Sequence, residues 1–231
     1  MRASPRVCDR ARWSWLGRVP FAFTAQLQES LRDQVLGGQC PNTLLLCEHD
    51  PVITLGRSAQ PLHVLADPET LAQHSVTLSH ASRGGDVTYH GPGQLVGYPV
   101  FRLRAGVVAH VTWMAAAVVQ ALATYGIEAT FRRDQPGVWV GPAKICAFGV
   151  HIRHRVAIHG FALNVAPQMD HFKLIVPCGL HGQPVTSLSA LLGSRTITAQ
   201  SVIPALLAAL AAGAGEMPFE QVSAVQLALS D

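Results

Sequence analysis

Apolar residues recur every three or four positions in several stretches of the chain, and this spacing predicts helices. Asp67, Ser187 and Thr198 stand at the starts of three of these stretches and are typical N-cap residues. The helices are predicted at residues 23–35, 68–73, 107–125, 187–192 and 199–212. Pro204 lies inside the last of them and is expected to kink that helix or to mark its true start.

Short apolar runs between turn residues predict β-strands. They lie at residues 43–47, 51–55, 76–79, 95–101, 127–131, 137–140, 144–152 and 156–164. Pro99 falls within the fourth run and favours a sheet edge or a bulge, because proline cannot donate a ladder hydrogen bond. Helices and strands follow one another in an irregular order, which predicts an α/β (α+β) fold with a mixed or mostly antiparallel sheet.

The composition is that of a folded protein with a large core. Of the 231 residues, 49% are hydrophobic and only 13% are charged, so the chain is not disordered. Its apolar stretches stay short of the about 18 residues that a membrane span needs, and no membrane association is expected. The net charge of +3 comes from scattered arginines, which disfavours nucleic-acid binding. Five cysteines without a Cys-x-x-Cys pair indicate a reducing compartment, not a disulfide framework or a zinc ribbon.

Residues 83–94 combine four glycines with polar side chains, in the order Arg-Gly-Gly-Asp-Val-Thr-Tyr-His-Gly-Pro-Gly-Gln. Because glycine lacks a Cβ, such a backbone can lie directly against a ligand. Arg83, His90 and Gln94 are more than a plain loop needs, so the segment predicts a binding site. A simple connecting loop is the alternative interpretation.

Cys178 and Lys144 are the candidate reactive residues. Cys178 lies in a Pro-Cys-Gly turn whose backbone N–H groups could stabilise an oxyanion during acyl transfer. A buried structural cysteine is an equal alternative on sequence alone. Lys144 is one of only two lysines among 17 basic residues, and a nearby cation lowers the pKa of a thiol. Cys146 beside it is a weaker candidate nucleophile, because a position inside a strand offers no turn amides.

The histidines do not predict a metal site. His151 and His154 fall on opposite faces of their strand, and no acidic residue accompanies them. His159, next to Gly160, is a candidate pocket residue, and His90 is either a base or an orienting donor. Neither a dinucleotide-binding motif nor a P-loop occurs in the sequence.

Several segments together resemble the lipoyl(octanoyl) transferases of lipoate biosynthesis. The segments are residues 83–94, Gly-Val-Trp at 137–139, Lys-Ile-Cys-Ala-Phe-Gly-Val at 144–150, His-Gly-Phe-Ala-Leu-Asn at 159–164, Pro-Cys-Gly-Leu at 177–180 and Val-Thr-Ser-Leu at 185–188. The resemblance covers nearly the whole chain and implies a fold of the biotin and lipoate protein ligase catalytic type, with a mixed sheet flanked by helices. It also implies one catalytic domain over residues 16–231 behind an N-terminal extension of residues 1–15.

The reaction that the resemblance implies is the movement of an octanoyl group from the phosphopantetheine thioester of acyl carrier protein to a lysine ε-amine. The acceptors would be lipoyl domains of 2-oxoacid dehydrogenases and the glycine cleavage H protein. Cys178 would carry the acyl group as a thioester, and Lys144 would lower the pKa of its thiol. Neither ATP nor a metal would be needed, because the donor is already a thioester.

A set of substrate-binding residues follows from the same resemblance. They are Arg83, Gly84, Gly85, Asp86, Val87, Thr88, Tyr89, His90, Ala147, Phe148, Gly149, Gly160, Phe161 and Ala162, with His159 and Gln94 in support. The alternatives are an ATP-dependent lipoate or biotin protein ligase of the same fold, a non-catalytic acyl-carrier-binding module, and a cysteine hydrolase. The cytoplasm is the expected location, with the mitochondrion as the alternative, because the arginine-rich first residues faintly resemble a transit peptide.

Overall fold

Eleven strands and six α-helices form the part of the chain that the structure describes, residues 11–39, 41–176, 183–193 and 196–228 of a computed structural model. The strands are β1 (Ala11–Val19), β2 (Asn42–His49), β3 (Val52–Leu55), β4 (Thr77–His80), β5 (Val87–His90), β6 (Gln94–Arg102), β7 (Thr130–Arg132), β8 (Gly137–Val140), β9 (Ala143–Arg153), β10 (Val156–Asn164) and β11 (Phe219–Gln221). The helices are α1 (Phe21–Gly37), α2 (Pro68–Gln73), α3 (Val107–Ala123), α4 (Leu188–Leu192), α5 (Ala199–Gly213) and α6 (Ala224–Ala228). Two 3₁₀ helices lie at Pro61–His63 and Met169–Leu174.

The strands form two mixed sheets, which confirms the predicted fold class. The main sheet has eight strands in the order β11-β1-β2-β6-β10-β9-β8-β7, and the small sheet has the order β4-β3-β5. β1 is parallel to both of its neighbours, and the other pairs of the main sheet are antiparallel. In the small sheet β3 pairs with β4 in parallel and with β5 in the antiparallel sense.

Helices cover both faces of the main sheet. Alternate residues of β2 show the division, because Leu44 and Leu46 belong to the core beneath α3 and α5, whereas Leu45 packs with α1 on the other face. A third core joins the small sheet to α2 and to the second 3₁₀ helix. On the surface beside it, the exposed Lys173 forms an ion pair with Asp170 at 2.6 Å. None of the helices in the described ranges has both the length and the apolar character to cross a membrane.

The N-cap predictions are confirmed. Asp67 accepts from the N–H of Thr70 at 2.7 Å, Ser187 caps α4, and Thr198 forms a capping box at the start of α5. α5 continues through Pro204 without ending there.

The N-terminal strand β1 was not predicted. It begins at Ala11, inside the segment that the resemblance assigned to an extension, and pairs with β2 and with the distant β11. Residues 11–15 are therefore part of the main sheet.

Pro99 lies neither on a sheet edge nor in a bulge, because β6 and β10 keep one register on both sides of it, and the prediction is wrong. β6 is a central strand between β2 and β10. Because Pro99 has no N–H, the ladder between β6 and β10 is interrupted there. The two strands pair at Phe101↔Ala157 and again at Gly97↔Phe161, and no residues pair between these points.

At this interruption the backbone of β10 adopts a left-handed conformation, while its pairing with β9 continues. His159 is buried and has φ +58°, and its N–H donates to Gln28 Oε1 of α1 at 2.7 Å. Next to it, a Cβ on Gly160 would lie 2.3 Å from the carbonyl oxygen of Gly97 and 2.6 Å from Cδ of Pro99. Only glycine fits at position 160, because the facing atoms belong to backbone and to a rigid ring.

Gly97→Ala is expected to destabilise the main sheet. The new Cβ would lie 2.1 Å from Cζ of Phe161, so this buried ring would have to leave its present position. We expect a loss of about 1–3 kcal/mol in the free energy of unfolding, measured by urea denaturation. The control is Gly37→Ala at the end of α1, where the nearest atom belongs to the flexible side chain of Gln39 at 3.3 Å. Equal stability of the two variants would contradict the expectation.

Candidate active site

A cavity of about 290 Å³ lies between the small sheet, β9, β10 and the start of α1. The residues that line it are Phe21, Arg83, Gly85, Asp86, Thr88, His90, Val96, Tyr98, Asp134, Gln135, Pro136, Lys144, Ala147, Phe148, Gly149, His159, Gly160, Phe161 and Ala162. Its volume is near the lower end for small-molecule sites and suits a slender ligand. A second cavity, of about 480 Å³ near the start of α3 and the end of α5, contains none of the predicted site residues.

Most of the predicted binding residues lie on the wall of the 290 Å³ cavity, but Gly84, Val87, Tyr89 and Gln94 do not. The side chains of Val87 and Tyr89 point away from the cavity, because alternate residues of β5 point to opposite faces and these two belong to the small-sheet core. Gly84 instead donates its N–H to the carbonyl of Val150 at 3.0 Å. The sequence-based prediction did not recognise that β5 lies within the glycine-rich segment.

Arg83 holds the glycine-rich segment in place. Its guanidinium is buried and donates to the carbonyl and hydroxyl oxygens of Thr54 at 2.7 and 2.8 Å, and to the carbonyl of Asp86 at 2.8 Å. The side chain passes close to two glycines: a Cβ on Gly56 would lie 2.7 Å from Nη1, and a Cβ on Gly149 would lie 2.9 Å from Cδ. The glycines at 56 and 149 thus make room for the arginine that anchors the cavity wall.

Lys144 lies on the same cavity wall and is buried. Its ammonium is 4.9 Å from the ring centroid of Trp139, a distance at which a cation–π contact is favourable. A Cβ on Gly137 would lie 2.9 Å from Cε of this lysine, so the strand opposite leaves room for the side chain. Lys144 also donates its N–H to the carbonyl of Pro184 at 2.9 Å.

Cys178 lies outside the described residues, and so do its neighbours at 177 and 179–182. The described chain on either side contacts two parts of the site. Before the gap, Val176 donates its N–H to the carbonyl of His63, whose ring contacts the carboxylate of Asp86. After the gap, Pro184 lies beside Lys144.

Cys146, the weaker candidate nucleophile, does not line the cavity. It is 1% exposed within the core beneath α3. Burial raises the pKa of its thiol above the ordinary value, although the charge of Lys144 opposes that shift. The thiol form is therefore strongly favoured, and Cys146 is not suited to nucleophilic attack.

His90 and His159 contribute neutral imidazoles to the cavity wall. Burial, with a further contribution from His49, lowers the pKa of His90 to about 3. Burial and the nearby charge of Arg83 lower the pKa of His159 to about 3. His159 contacts Ser82 Oγ through Nε2 at 2.9 Å. The ring of His90 stacks on Phe21, with the planes 7° apart.

Six residues of the wall were missed by the sequence-based prediction. They are Phe21, Val96, Tyr98, Asp134, Gln135 and Pro136. Phe21, Val96 and Tyr98 lie on elements that were read only as core helix or strand, and a helix or strand pattern does not show which end faces a ligand. The Asp-Gln-Pro turn before β8 carried a polar signal adjacent to the Gly-Val-Trp motif that could have been used.

Comparison with known proteins decides the family. The model of the lipoyl protein ligase A/B catalytic domain matches residues 20–211. The chain belongs to this family. It is 46% identical over 199 residues to the octanoyltransferase of Koribacter versatilis, covering 83% of this chain and 79% of that protein. It is 44% identical over 203 residues to the octanoyltransferase of Chloroflexus aggregans, covering 85% and 91%.

Solved structures of lipoate-protein ligases and of biotin protein ligases share the fold. Lipoate-protein ligase A bound with ATP superposes with a TM-score of 0.75 at 16% identity, over 96% of this chain and 92% of that one. The biotin protein ligase of Aquifex aeolicus in complex with biotin and ATP superposes with a TM-score of 0.56 at 14% identity, over 89% and 71%. The fold implied by the sequence resemblance is thereby confirmed.

The buried neutral histidines are expected to make stability fall in mild acid. Burial lowers the pKa values of His90 and His159 to about 3 and that of His110 to about 4, whereas an unfolded histidine titrates near 6.5. Between those values the unfolded chain binds more protons, so acidification favours unfolding by up to about 1.4 kcal/mol per pH unit for each histidine. Urea denaturation between pH 7.5 and pH 4.5 measures the slope.

His110→Phe serves as the test variant, because His110 lies outside the 290 Å³ cavity. An aromatic ring at this position can keep the contacts with Phe101 and Trp113. Removal of one buried neutral histidine should flatten the dependence on pH. An unchanged slope would contradict this assignment of the buried histidines.

Proposed function

We propose that the chain is an acyltransferase that moves an octanoyl group onto a lysine ε-amine of a lipoyl domain in lipoate biosynthesis. The observation that carries the proposal is 42–46% identity to octanoyltransferases over 81–85% of the chain. The 290 Å³ cavity supports it physically, since an acyl chain needs a narrow apolar slot. Phe148, Phe161 and Val96 offer apolar surface, and Gly149 and Gly160 let the ligand approach the backbone.

The proposed acyl donor is the phosphopantetheine thioester of acyl carrier protein. A thioester is already activated towards nucleophiles, so exchange with a protein thiol is nearly isoenergetic and subsequent aminolysis to an amide is downhill. Under this proposal the chain uses neither ATP nor a metal ion. The proposed acceptors are the lipoyl domains of 2-oxoacid dehydrogenases and the glycine cleavage H protein.

Cys178 is the proposed nucleophile. Its thiolate attacks the thioester carbon, the phosphopantetheine thiolate leaves, and the octanoyl group remains on the cysteine sulfur. In the second step the acceptor amine attacks the same carbon, a C–N bond forms and the C–S bond to Cys178 breaks. The proposed role of Lys144 is to lower the pKa of Cys178, because a nearby ammonium stabilises a thiolate.

An ATP-dependent ligase is the second candidate function, because solved ligases with bound ATP share the fold. Those likenesses lie at 14–16% identity and concern the fold only. Such an enzyme would form an acyl adenylate and would not need Cys178. The two candidates therefore differ in their dependence on ATP and on this cysteine.

An octanoyl adduct on Cys178 is the expected result when the protein is mixed with octanoyl acyl carrier protein in the absence of ATP. Intact mass followed by peptide mapping detects the adduct, which should disappear on addition of a lipoyl domain. Cys178→Ser should abolish the adduct, and the control Cys146→Ser should keep it, because Cys146 is buried away from the cavity. Transfer that requires ATP and survives Cys178→Ser would establish the ligase instead.

Lys144→Arg is expected to slow the acylation of Cys178 by about tenfold, the effect of a rise of one unit in the pKa of the thiol. Arginine keeps the charge but spreads it over a larger planar head and does not give up a proton, so it does not reproduce the compact ammonium beside Trp139 and Gly137. The control is Lys173→Arg, which changes the other lysine at an exposed position. Rapid-quench mass spectrometry measures both rates, and equal rates would remove Lys144 from the reaction.

A further inference from the structure

A chain of side-chain amides runs behind the wall of the 290 Å³ cavity and ends on His90. Nδ1 of His90 lies 2.7 Å from Oε1 of Gln94. Nε2 of Gln94 donates to Oδ1 of Asn164 at 2.9 Å, and Nδ2 of Asn164 donates to the carbonyl of Thr186 at 3.0 Å. Gln94 also donates to the carbonyl of Tyr89 at 3.2 Å. All of these contacts are made by residues that the structure describes.

Two backbone carbonyls fix the direction of every hydrogen bond in this chain. A carbonyl oxygen only accepts, so the carbonyl of Thr186 requires the NH₂ group of Asn164 and leaves its Oδ1 facing Gln94. The carbonyl of Tyr89 and this Oδ1 both require the NH₂ group of Gln94. Oε1 of Gln94 is thereby left to face His90, and Nδ1 of His90 must donate to it.

The fold places the two amides opposite each other. Gln94 is the first residue of β6 and Asn164 is the last residue of β10, and the two are direct partners in the antiparallel ladder. They are 2% and 5% exposed, so water does not compete for their polar groups. The arrangement is rigid because it is attached to two central strands of the main sheet.

The ring of His90 therefore carries its proton on Nδ1 and presents a lone pair on Nε2. Among the described residues Nε2 has no hydrogen-bond partner, and His90 lines the cavity whereas Gln94 does not. Burial and the neighbouring His49, Arg83 and His159 lower the pKa of His90 to about 3, so the ring stays neutral at pH 7. The cavity wall at His90 thus offers a hydrogen-bond acceptor and not a donor.

We propose that Gln94 and Asn164 are positioning residues that fix the tautomer of His90, so that its Nε2 accepts a hydrogen bond from the incoming lysine ε-amine during transfer. This inference rests on the proposed function, in which that amine brings the N–H groups to the reaction whereas the octanoyl chain has no donor. As the amine nitrogen bonds to the acyl carbon, the C–S bond breaks, and the proton lost by nitrogen ends on the departing sulfur. His90 stays neutral and orients the amine through its second N–H.

The tautomer can be read directly by two-bond ¹H–¹⁵N correlation spectra of the full chain labelled with ¹⁵N-histidine, with His90→Ala assigning the signal. We expect protonated Nδ1 in the wild type. Gln94→Met removes the acceptor at nearly constant volume and should shift the signal towards protonated Nε2. Asn42→Ala is the matched control, a buried amide whose Oδ1 accepts from Arg102 outside this network, and it should leave the tautomer unchanged.

Single-turnover transfer from the octanoyl enzyme to a lipoyl domain tests the role of the tautomer. Gln94→Met and Asn164→Ala should slow aminolysis by about tenfold each, as expected for loss of one hydrogen bond, while acylation changes little. In a His90→Ala background, Gln94→Met should cause no further loss, because it acts through His90.

Two results would overturn the proposal: protonated Nε2 in the wild type, or a full additional loss for Gln94→Met in the His90→Ala background. Absence of any acyl enzyme in the wild type is a different result. It would refute the proposed function and with it the role of the amine, while the spectra would still report whether Gln94 fixes the tautomer.

Discussion

The interruption of the ladder between β6 and β10 is the constraint on which the cavity depends. Pro99 has no N–H to give to β10, and opposite it His159 adopts a positive φ while its pairing with β9 continues. Gln28 of α1 accepts the N–H of His159 that β6 does not pair. At the same point the His159 ring lines the cavity and Gly160 lies against the backbone of Gly97. A defect that would weaken an ordinary sheet is here stabilised by a helix and forms part of the cavity wall.

Around the cavity, hydrogen bonds within the protein hold polar side chains in fixed directions. The guanidinium of Arg83 donates to carbonyl and hydroxyl oxygens of the glycine-rich segment and the small sheet. The same principle applies to His49, whose Nδ1 contacts the carbonyl of Val19 and whose Nε2 contacts the hydroxyl of Tyr98. Since a carbonyl only accepts, His49 donates through Nδ1 and accepts from the tyrosine. The cavity can therefore hold an apolar chain beside polar groups whose own hydrogen bonds are largely satisfied within the protein.

Local signals allowed the sequence to predict much of the fold. N-caps such as Asp67 and Thr198 act within one turn of helix, so they can be recognised without tertiary information. β1 was not predicted because its own residues show no clear alternation of apolar and polar positions, and one of its two partners, β11, lies at the other end of the chain.

The site was predicted less completely, because it too depends on contacts between residues that are far apart in the sequence. The glycine-rich segment was recognised by its composition. Which of its residues face the cavity, such as Thr88, and which face the core, such as Tyr89, depends on how β5 pairs with β3. Phe21 and Tyr98 reach the cavity only through the packing of α1 against the main sheet. The link from Gln94 to Asn164 required the register of two strands.

The scarcity of lysine limits how far the protein could acylate its own side chains. An enzyme that holds an activated acyl group beside amine acceptors risks modifying itself. Here the sequence offers only two lysine side chains, and one of them, Lys144, is enclosed beside Trp139. The other, Lys173, stands on the surface and is paired with Asp170. Arginine supplies the remaining basic side chains, so under the proposed function few lysine amines on the surface could compete for a thioester.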